Sequence, residues 1–123
     1  MDVHTAARNG DTAFLESYAK AGGDLNRPDQ NGMTPLHVAV DGGRSGAVRF
    51  LIGKRVNVNL KDKWGQTALM LAAGRNDGQS VRLLVAARAD LSVRAANGLT
   101  ALGYAVDNGR RETANILRRA GAR

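Results

Sequence analysis

Two histidines, His4 and His37, are the side chains of this sequence best suited to proton transfer or metal binding near neutral pH. Either chemistry would require partners, such as a second histidine at short spacing or a set of carboxylates. The residues around His37, Thr-Pro-Leu-His-Val-Ala at 34–39, provide none. We therefore predict that His37 is structural and hydrogen-bonds backbone in a neighbouring loop. We also predict that the chain has no catalytic, cofactor-binding or metal site.

A glycine-rich stretch, DGGRSG at 41–46, is similar to a loop that holds phosphate. It lacks the Gly-Lys-Ser/Thr ending with which such loops bind phosphate and its metal. It also aligns with GRNDGQ at 74–79, which favours an ordinary turn between paired helices. Carboxylates show the same regularity, because Asp29 and Asp62 precede these two stretches by the same interval, and this indicates a scaffold role. The chain contains no cysteine, which excludes disulfides and thiolate chemistry.

One sequence motif recurs along the chain, as NGMTPLHVAV at 31–40, WGQTALMLAA at 64–73 and NGLTALGYAV at 97–106. The glycines, threonines and leucines of these segments recur at one constant interval, and VHTAA at 3–7 fits one period earlier. A constant period of about 33 residues is typical of a stacked repeat array. We predict a single domain over 1–123, with units at about 1–28, 29–61, 62–94 and 95–123.

Each unit is expected to contain two short antiparallel helices and a projecting hairpin. Thr34 is a good helix N-cap, and Pro35 suits the first helical position, where its missing N–H costs nothing. Val48 and Leu51 mark the apolar stripe of the second helix. Since aromatic residues make up only 4% of the chain, we expect a thin-layered core of alanine, leucine and valine.

The motif at 34–39, together with this constant period, resembles the ankyrin-repeat family along essentially the whole chain. The resemblance implies an all-α fold, a solenoid of stacked antiparallel helix pairs with projecting hairpin loops, in which the first and last units act as caps. It also implies a non-enzymatic protein–protein interaction module. The motif histidine is replaced by Met70 and Gly103, so we expect the third and fourth units to be less rigid than the second. Arg55 and Arg88 stand where the family usually has glycine after the second helix.

The family's binding surface is normally the concave side, made by hairpin tips and the ends of the first helices. Carried over to this chain, the hairpin tips contribute Gln30, Asn31, Met33, Lys63, Trp64, Gln66, Asn97 and Leu99. The first-helix ends contribute Arg8, Asp41, Arg75, Asp107 and Asn108. For Trp64 two interpretations stay open: an exposed binding anchor, or a ring packed on the stem of Lys61 or Lys63.

The net charge of +7 raises an alternative function, electrostatic binding of nucleic acid or anionic membrane. Stacking aromatics are scarce and no groove-reading motif appears, so we expect a protein or peptide partner instead, bound by a monomer without cofactor. No apolar run is long enough to span a bilayer. The arginine-rich, cysteine-free composition suits a bacterial cytoplasmic protein, or a periplasmic one if a signal peptide has been removed.

Overall fold

Eight α-helices in four consecutive pairs form the chain in the computed structural model, which describes all residues, 1–123. The first helices of the pairs are α1 (Val3–Asn9), α3 (Pro35–Asp41), α5 (Ala68–Gly74) and α7 (Ala101–Asp107). The second helices are α2 (Thr12–Lys20), α4 (Ser45–Gly53), α6 (Gly78–Ala86) and α8 (Arg111–Arg119). No residue lies in a β-strand, so the predicted all-α fold is confirmed.

The ends of α3 follow from its sequence. The Thr34 hydroxyl accepts a hydrogen bond from the backbone N–H of His37 at 3.3 Å, and Pro35 occupies the first turn. Gly42 caps the C-terminus, and Gly43 follows with a φ of 68°, in the left-handed region that glycine adopts without steric cost. The predicted cap is confirmed, and the stretch 41–46 is the turn between α3 and α4.

The helices stack in two layers. The first helices contact one another in chain order, α1 to α3 to α5 to α7, and the second helices do the same from α2 to α8. Fully buried alanines recur at one position of the first helices: Ala6, Ala39, Ala72 and Ala105. Because their side chains are small, the helices of neighbouring pairs can approach closely.

The core consists of aliphatic side chains. Every buried hydrophobic residue is alanine, valine, leucine or methionine, as the low aromatic content predicted. The rings of Phe14, Tyr18, Phe50 and Tyr104 are only partly buried and pack around this core. None of the helices has both the length and the apolar character that crossing a membrane requires.

The hairpins before α3 and α5 are held by carboxylates. Asp29 Oδ1 accepts hydrogen bonds from two backbone N–H groups within its hairpin, at 2.8 and 2.9 Å. Asp62 Oδ1 does the same one period later, at 3.0 and 2.9 Å. The predicted scaffold role of these two residues is confirmed.

Neighbouring hairpins are also joined to each other. The backbone N–H of Lys63 donates to the Asn31 carbonyl at 2.9 Å, and that of Ala96 donates to the Trp64 carbonyl at 3.0 Å. The tips of the hairpins before α3, α5 and α7 therefore form one continuous row. This row fixes the spacing of the side chains that the tips carry.

The C-terminal end of the stack is only partly polar. Arg118 is exposed where the inner pairs have the half-buried Ile52 and Val85. Val106, however, is 51% exposed, whereas Val40 at the equivalent position is fully buried. The last pair therefore lacks the cover that the following pair gives to the inner ones.

Candidate functional site

His37 is fully engaged in hydrogen bonds. Its Nε2 lies 2.8 Å from the carbonyl oxygen of Gln66, and its Nδ1 lies 3.1 Å from the backbone nitrogen of Thr34. A carbonyl oxygen only accepts, so Nε2 carries the proton, and Nδ1 accepts from the Thr34 N–H. The bond to Gln66 joins α3 to the next hairpin, which confirms the predicted structural role of His37.

The environment of His37 favours the neutral ring. The side chain is 1% exposed, and this burial lowers the pKa of His37 from its ordinary value of 6.5. The bond to the Gln66 carbonyl and the charges of Asp62 and Asp29 act in the opposite direction, but they are weaker. No solvent-facing nitrogen remains for proton transfer or metal binding. No group of three or more potential metal ligands occurs elsewhere in the chain.

Three predicted site residues at the first-helix ends form a charge row. Asp41 forms two ion pairs: its Oδ2 lies 3.5 Å from Arg8 Nη1, and its Oδ1 lies 3.7 Å from Arg75 Nη1. All three side chains are about half exposed, so these ion pairs stabilise the fold only slightly. Their main effect is to hold two guanidinium groups at defined positions beside one carboxylate.

Both interpretations of Trp64 describe part of what is observed. The Nζ of Lys63 lies 4.6 Å from the centre of the indole ring, so the lysine covers part of the ring by a cation–π contact. The side chain is nevertheless 49% exposed, and Trp64 is one of three large hydrophobic residues that are exposed in the whole chain. Trp64 is therefore positioned by Lys63 and still accessible to a partner.

The exposed indole lines a groove, the Trp64–Tyr104 groove, of about 420 Å³. Its lining consists of Trp64, Gln66, Ala96, Asn97 and Tyr104. Gln66 Nε2 donates to the Tyr104 hydroxyl at 3.0 Å, and Asn97 Nδ2 donates to the same oxygen at 3.1 Å. Because the hydroxyl accepts two bonds and donates to no protein atom, its proton is available to a ligand.

The other predicted site residues differ in accessibility. Met33 and Leu99 are half-buried, and Met33 packs against the core. Asn31 is half-buried, and its carbonyl is used in the bond to the next hairpin. Gln30 is exposed and lines a depression of about 680 Å³ together with Arg8.

At the C-terminal end of the row of first helices, the two remaining predicted residues are exposed. Asn108 donates from Nδ2 to the Gly74 carbonyl at 3.3 Å, which links α7 to α5. Asp107 takes part in none of the ion pairs that join Arg8, Asp41 and Arg75. The structure therefore brings most of the predicted residues into local groups and leaves Asp107 apart from them.

Tyr104 is a site residue that the sequence reasoning missed. It aligns with Val38 and Leu71, so the period alone suggests a packing position. The available signal was its hydroxyl group, which a purely apolar position does not need. Its importance depends on two partners, 38 and 7 residues away in the chain, which only the folded stack brings together.

The family model described as ankyrin repeats (three copies) matches residues 3–95 and 44–123. This chain belongs to the ankyrin-repeat family. The match covers nearly the whole sequence, in agreement with the helix-pair stack. Ankyrin repeats generally mediate protein–protein interaction.

Part of this chain is similar to segments of several proteins with diverse names. Alpha-latrotoxin-Lh1a of Latrodectus hasselti is 38% identical over 58 residues, which are 46% of this chain and 4% of the toxin. An L-asparaginase of Dirofilaria immitis is 42% identical over 52 residues, 42% of this chain and 9% of that protein. Protein phosphatase 1 regulatory subunit 12A of Mus musculus is 42% identical over 50 residues, 41% of this chain and 5% of the subunit. The chain therefore spans less than a tenth of the length of each of these relatives.

Proposed function

We propose that this chain is a non-enzymatic interaction module that binds a protein or peptide on its concave face, made by the hairpin tips and first-helix ends. The observation that carries the proposal is the Trp64–Tyr104 groove. There an exposed indole lies beside a hydroxyl whose proton is free to donate. Tryptophan and tyrosine are enriched among residues that dominate binding energy, because they bury a large area and offer a polar group.

The groove suits an apolar side chain of the partner together with a backbone carbonyl. The apolar group would cover the part of the indole that Lys63 leaves open, and the carbonyl would accept from Tyr104. Gln66 and Asn97 hold the hydroxyl in place before binding, so little ordering is required when the partner arrives. The charge row would orient charged groups of the same partner.

A non-enzymatic role is supported by how the histidines are used. Both ring nitrogens of His37 are bonded within the protein, and Nε2 of His4 lies 2.7 Å from the Arg27 carbonyl. The Thr34 hydroxyl lies 2.9 Å from His37 Nδ1, but both side chains are buried and this hydroxyl caps α3. A base, a nucleophile and an orienting group at one position are what catalysis of this type requires.

We also propose a repeat organisation, an oligomeric state and a cellular location for this chain. We infer four units of one repeat period each, with the first and last as caps, acting as a monomer without cofactor in a bacterial cytoplasm. The alternating first and second helices support four units, since the chain contains four helix pairs of equal lengths.

A pull-down from lysate of the source organism, with and without nuclease, tests the proposed function. The bait is the wild-type chain or the variant Trp64→Ala with Arg75→Glu, which removes the indole and reverses one charge of the row. The matched control is Arg49→Glu, an equal charge reversal on the exposed side of α4. We expect a discrete protein that is retained by wild type and control, lost by the variant and indifferent to nuclease.

Affinity for the captured partner can be followed through Trp64, since the chain has no other tryptophan. Binding in the groove should change its emission, and Tyr104→Phe should weaken binding about tenfold, because a hydrogen bond to the partner is lost. Captured material that is released by nuclease or moderate salt, and that binds the wild type and the variant equally, would favour the electrostatic alternative. An unchanged affinity of the variant would overturn the proposed binding face.

A further inference from the structure

Two arginines occupy a backbone conformation that favours glycine. Arg55 and Arg88 follow the second helices α4 and α6 with φ of 60° and 65°. At the equivalent positions after α2 and α8 the chain has Gly22 and Gly121, with φ of 87° and 103°. The left-handed conformation is unfavourable for a residue with a β-carbon, so arginine is retained at these two places at a cost to folding.

The two arginines line one depression, which we name the arginine cleft. It has a volume of about 500 Å³, and between Arg55 and Arg88 its lining is aliphatic, with Ile52, Val56 and Val58 from one pair and Ala86 from the next. Ile52 and Val58 are half-buried and Ala86 is exposed, so these three residues form the accessible part of this floor. The cleft shares no residue with the Trp64–Tyr104 groove.

Both guanidinium groups are free. The ion pairs of the chain use Arg8, Lys20, Arg75 and Arg82, and neither Arg55 nor Arg88 is among them. Neither side chain donates a hydrogen bond to the protein, in contrast to the hydrogen-bonded Arg44, Arg94 and Arg110. Two unpaired cations therefore flank an apolar surface, on a chain whose net charge is +7.

We propose that the arginine cleft binds an extended acidic segment of a partner protein, with one carboxylate on each arginine and an apolar side chain on the floor between them. Guanidinium groups bind carboxylates through paired hydrogen bonds, and the aliphatic floor matches an aliphatic side chain. This surface is separate from the proposed concave face, so the two proposals can fail independently.

The lining of the cleft distinguishes a protein segment from other anions. Single-stranded nucleic acid is bound on aromatic side chains on which bases stack, and no aromatic residue lines the cleft. A membrane surface would be contacted by projecting apolar side chains. The large exposed ones in this chain are Met1, Trp64 and Val106, none of which lines the cleft.

The spacing of the arginines suggests the spacing of the carboxylates. Packed helices lie roughly 10 Å apart, and an extended chain rises about 3.3 Å per residue. Side chains of an extended chain that face the same way are two or four residues apart, so carboxylates at positions i and i+4 flank an apolar side chain at i+2 on one face. Their separation of about 13 Å lies within reach of two flexible arginine side chains on neighbouring pairs. A suitable probe is a fluorescein-labelled peptide with the segment Glu-Ser-Leu-Ser-Glu between glycine-serine flanks, which places both glutamates and the leucine on one face. Its binding to the full chain is measured by fluorescence anisotropy.

We expect Arg55→Gly with Arg88→Gly to weaken probe binding about tenfold, since two exposed ion pairs are lost. The same variant should unfold at a higher temperature than wild type, because glycine removes the backbone strain, so weaker binding could not be attributed to unfolding. The matched control Arg119→Gln with Arg123→Gln removes the same charge elsewhere and should weaken binding less than about twofold. Trp64→Ala should leave probe binding unchanged.

Two altered probes test the separate contributions of the carboxylates and of the apolar side chain. Glutamine in place of both glutamates should abolish binding, and serine in place of leucine should weaken it. The proposal is overturned if the probe does not bind, if the control variant weakens binding as much as the glycine variant, or if the glutamine probe binds equally well. Stronger binding of a single-stranded oligonucleotide of equal charge, lost in the same glycine variant, would assign the cleft to nucleic acid instead.

Discussion

The Nε2 of His37 lies 2.8 Å from the carbonyl oxygen of Gln66, so a side chain of α3 holds the hairpin that leads into α5. The equivalent residues Met70 and Gly103 have no group that could make this bond. His4 Nε2 lies 2.7 Å from the carbonyl oxygen of Arg27, which precedes the Asp29 hairpin in the segment between α2 and α3. His37 is therefore the one residue at this position of the repeat that bonds to the hairpin residue just before the next first helix.

Replacing His37 by alanine should lower the free energy of unfolding by about 2–4 kcal/mol, because the imidazole packing is lost and the bonds to Gln66 and Thr34 disappear. Stability should also depend on pH through this residue. The pKa of His37 is lowered in the folded state, so the unfolded chain binds the proton more readily. The stabilisation is complete above 6.5, the ordinary pKa, and decreases as the pH falls below it. Urea unfolding from neutral to mildly acidic pH measures both effects.

The control for this experiment is His4→Ala, which removes the other imidazole of the chain. Its unfolding profile should keep the decrease below neutral pH, whereas His37→Ala should lose that part of the decrease. An equal slope in wild type and His37→Ala would show that the buried imidazole is not the group responsible.

Arg55→Gly and Arg88→Gly should each raise the free energy of unfolding by about 1 kcal/mol, since only glycine adopts the left-handed conformation without steric cost. Chemical denaturation of each single variant tests this. The reverse change, Gly22→Arg, should lower stability by a similar amount. A β-carbon at Gly22 would meet no atom within 4 Å, so the effect there is one of backbone conformation alone. A loss of stability in both arginine variants would contradict the strain argument.

Asp62→Ala should lower the free energy of unfolding by about 2 kcal/mol, because a buried carboxylate that accepts from Trp64 N and Gln66 N is removed. Since both residues line the Trp64–Tyr104 groove, the emission of Trp64 should change as well. Asp62→Asn keeps an oxygen acceptor and should retain most of the stability. If Asn and Ala at this position behaved alike in denaturation and fluorescence, the hairpin would not depend on these bonds.

Hydrogen exchange should be fastest in the fourth helix pair. Val106 is 51% exposed and α7 packs against one neighbouring first helix, α5, whereas α3 lies between α1 and α5, so the last pair has less cover. Mass spectrometry of exchanged backbone amides can compare α7 directly with α3. Slower exchange in α7 than in α3 would contradict this prediction.

Much of the fold was predictable because each repeated feature depends on neighbours close in the chain. Thr34 and Pro35 start a helix through local capping, and small residues such as Ala39 recur where helices touch. The structural role of His37 was also predictable, since the sequence offers it no catalytic partner. The binding residues proposed for the concave face, the partner and the compartment stay predictions.

The sequence by itself determined the period, the helix pairs, the aliphatic core and the family. Only the tertiary structure decided which unique side chains meet. Gln66 and Asn97 converge on Tyr104, and Arg8 and Arg75 on Asp41, across separations of 7 to 38 residues. The free guanidinium groups of Arg55 and Arg88 likewise become a pair only because α4 and α6 stack. The physical reason is that local periodicity sets where each backbone element lies. Contacts between non-repeated side chains depend on the distance between stacked pairs and on the rotamers allowed there.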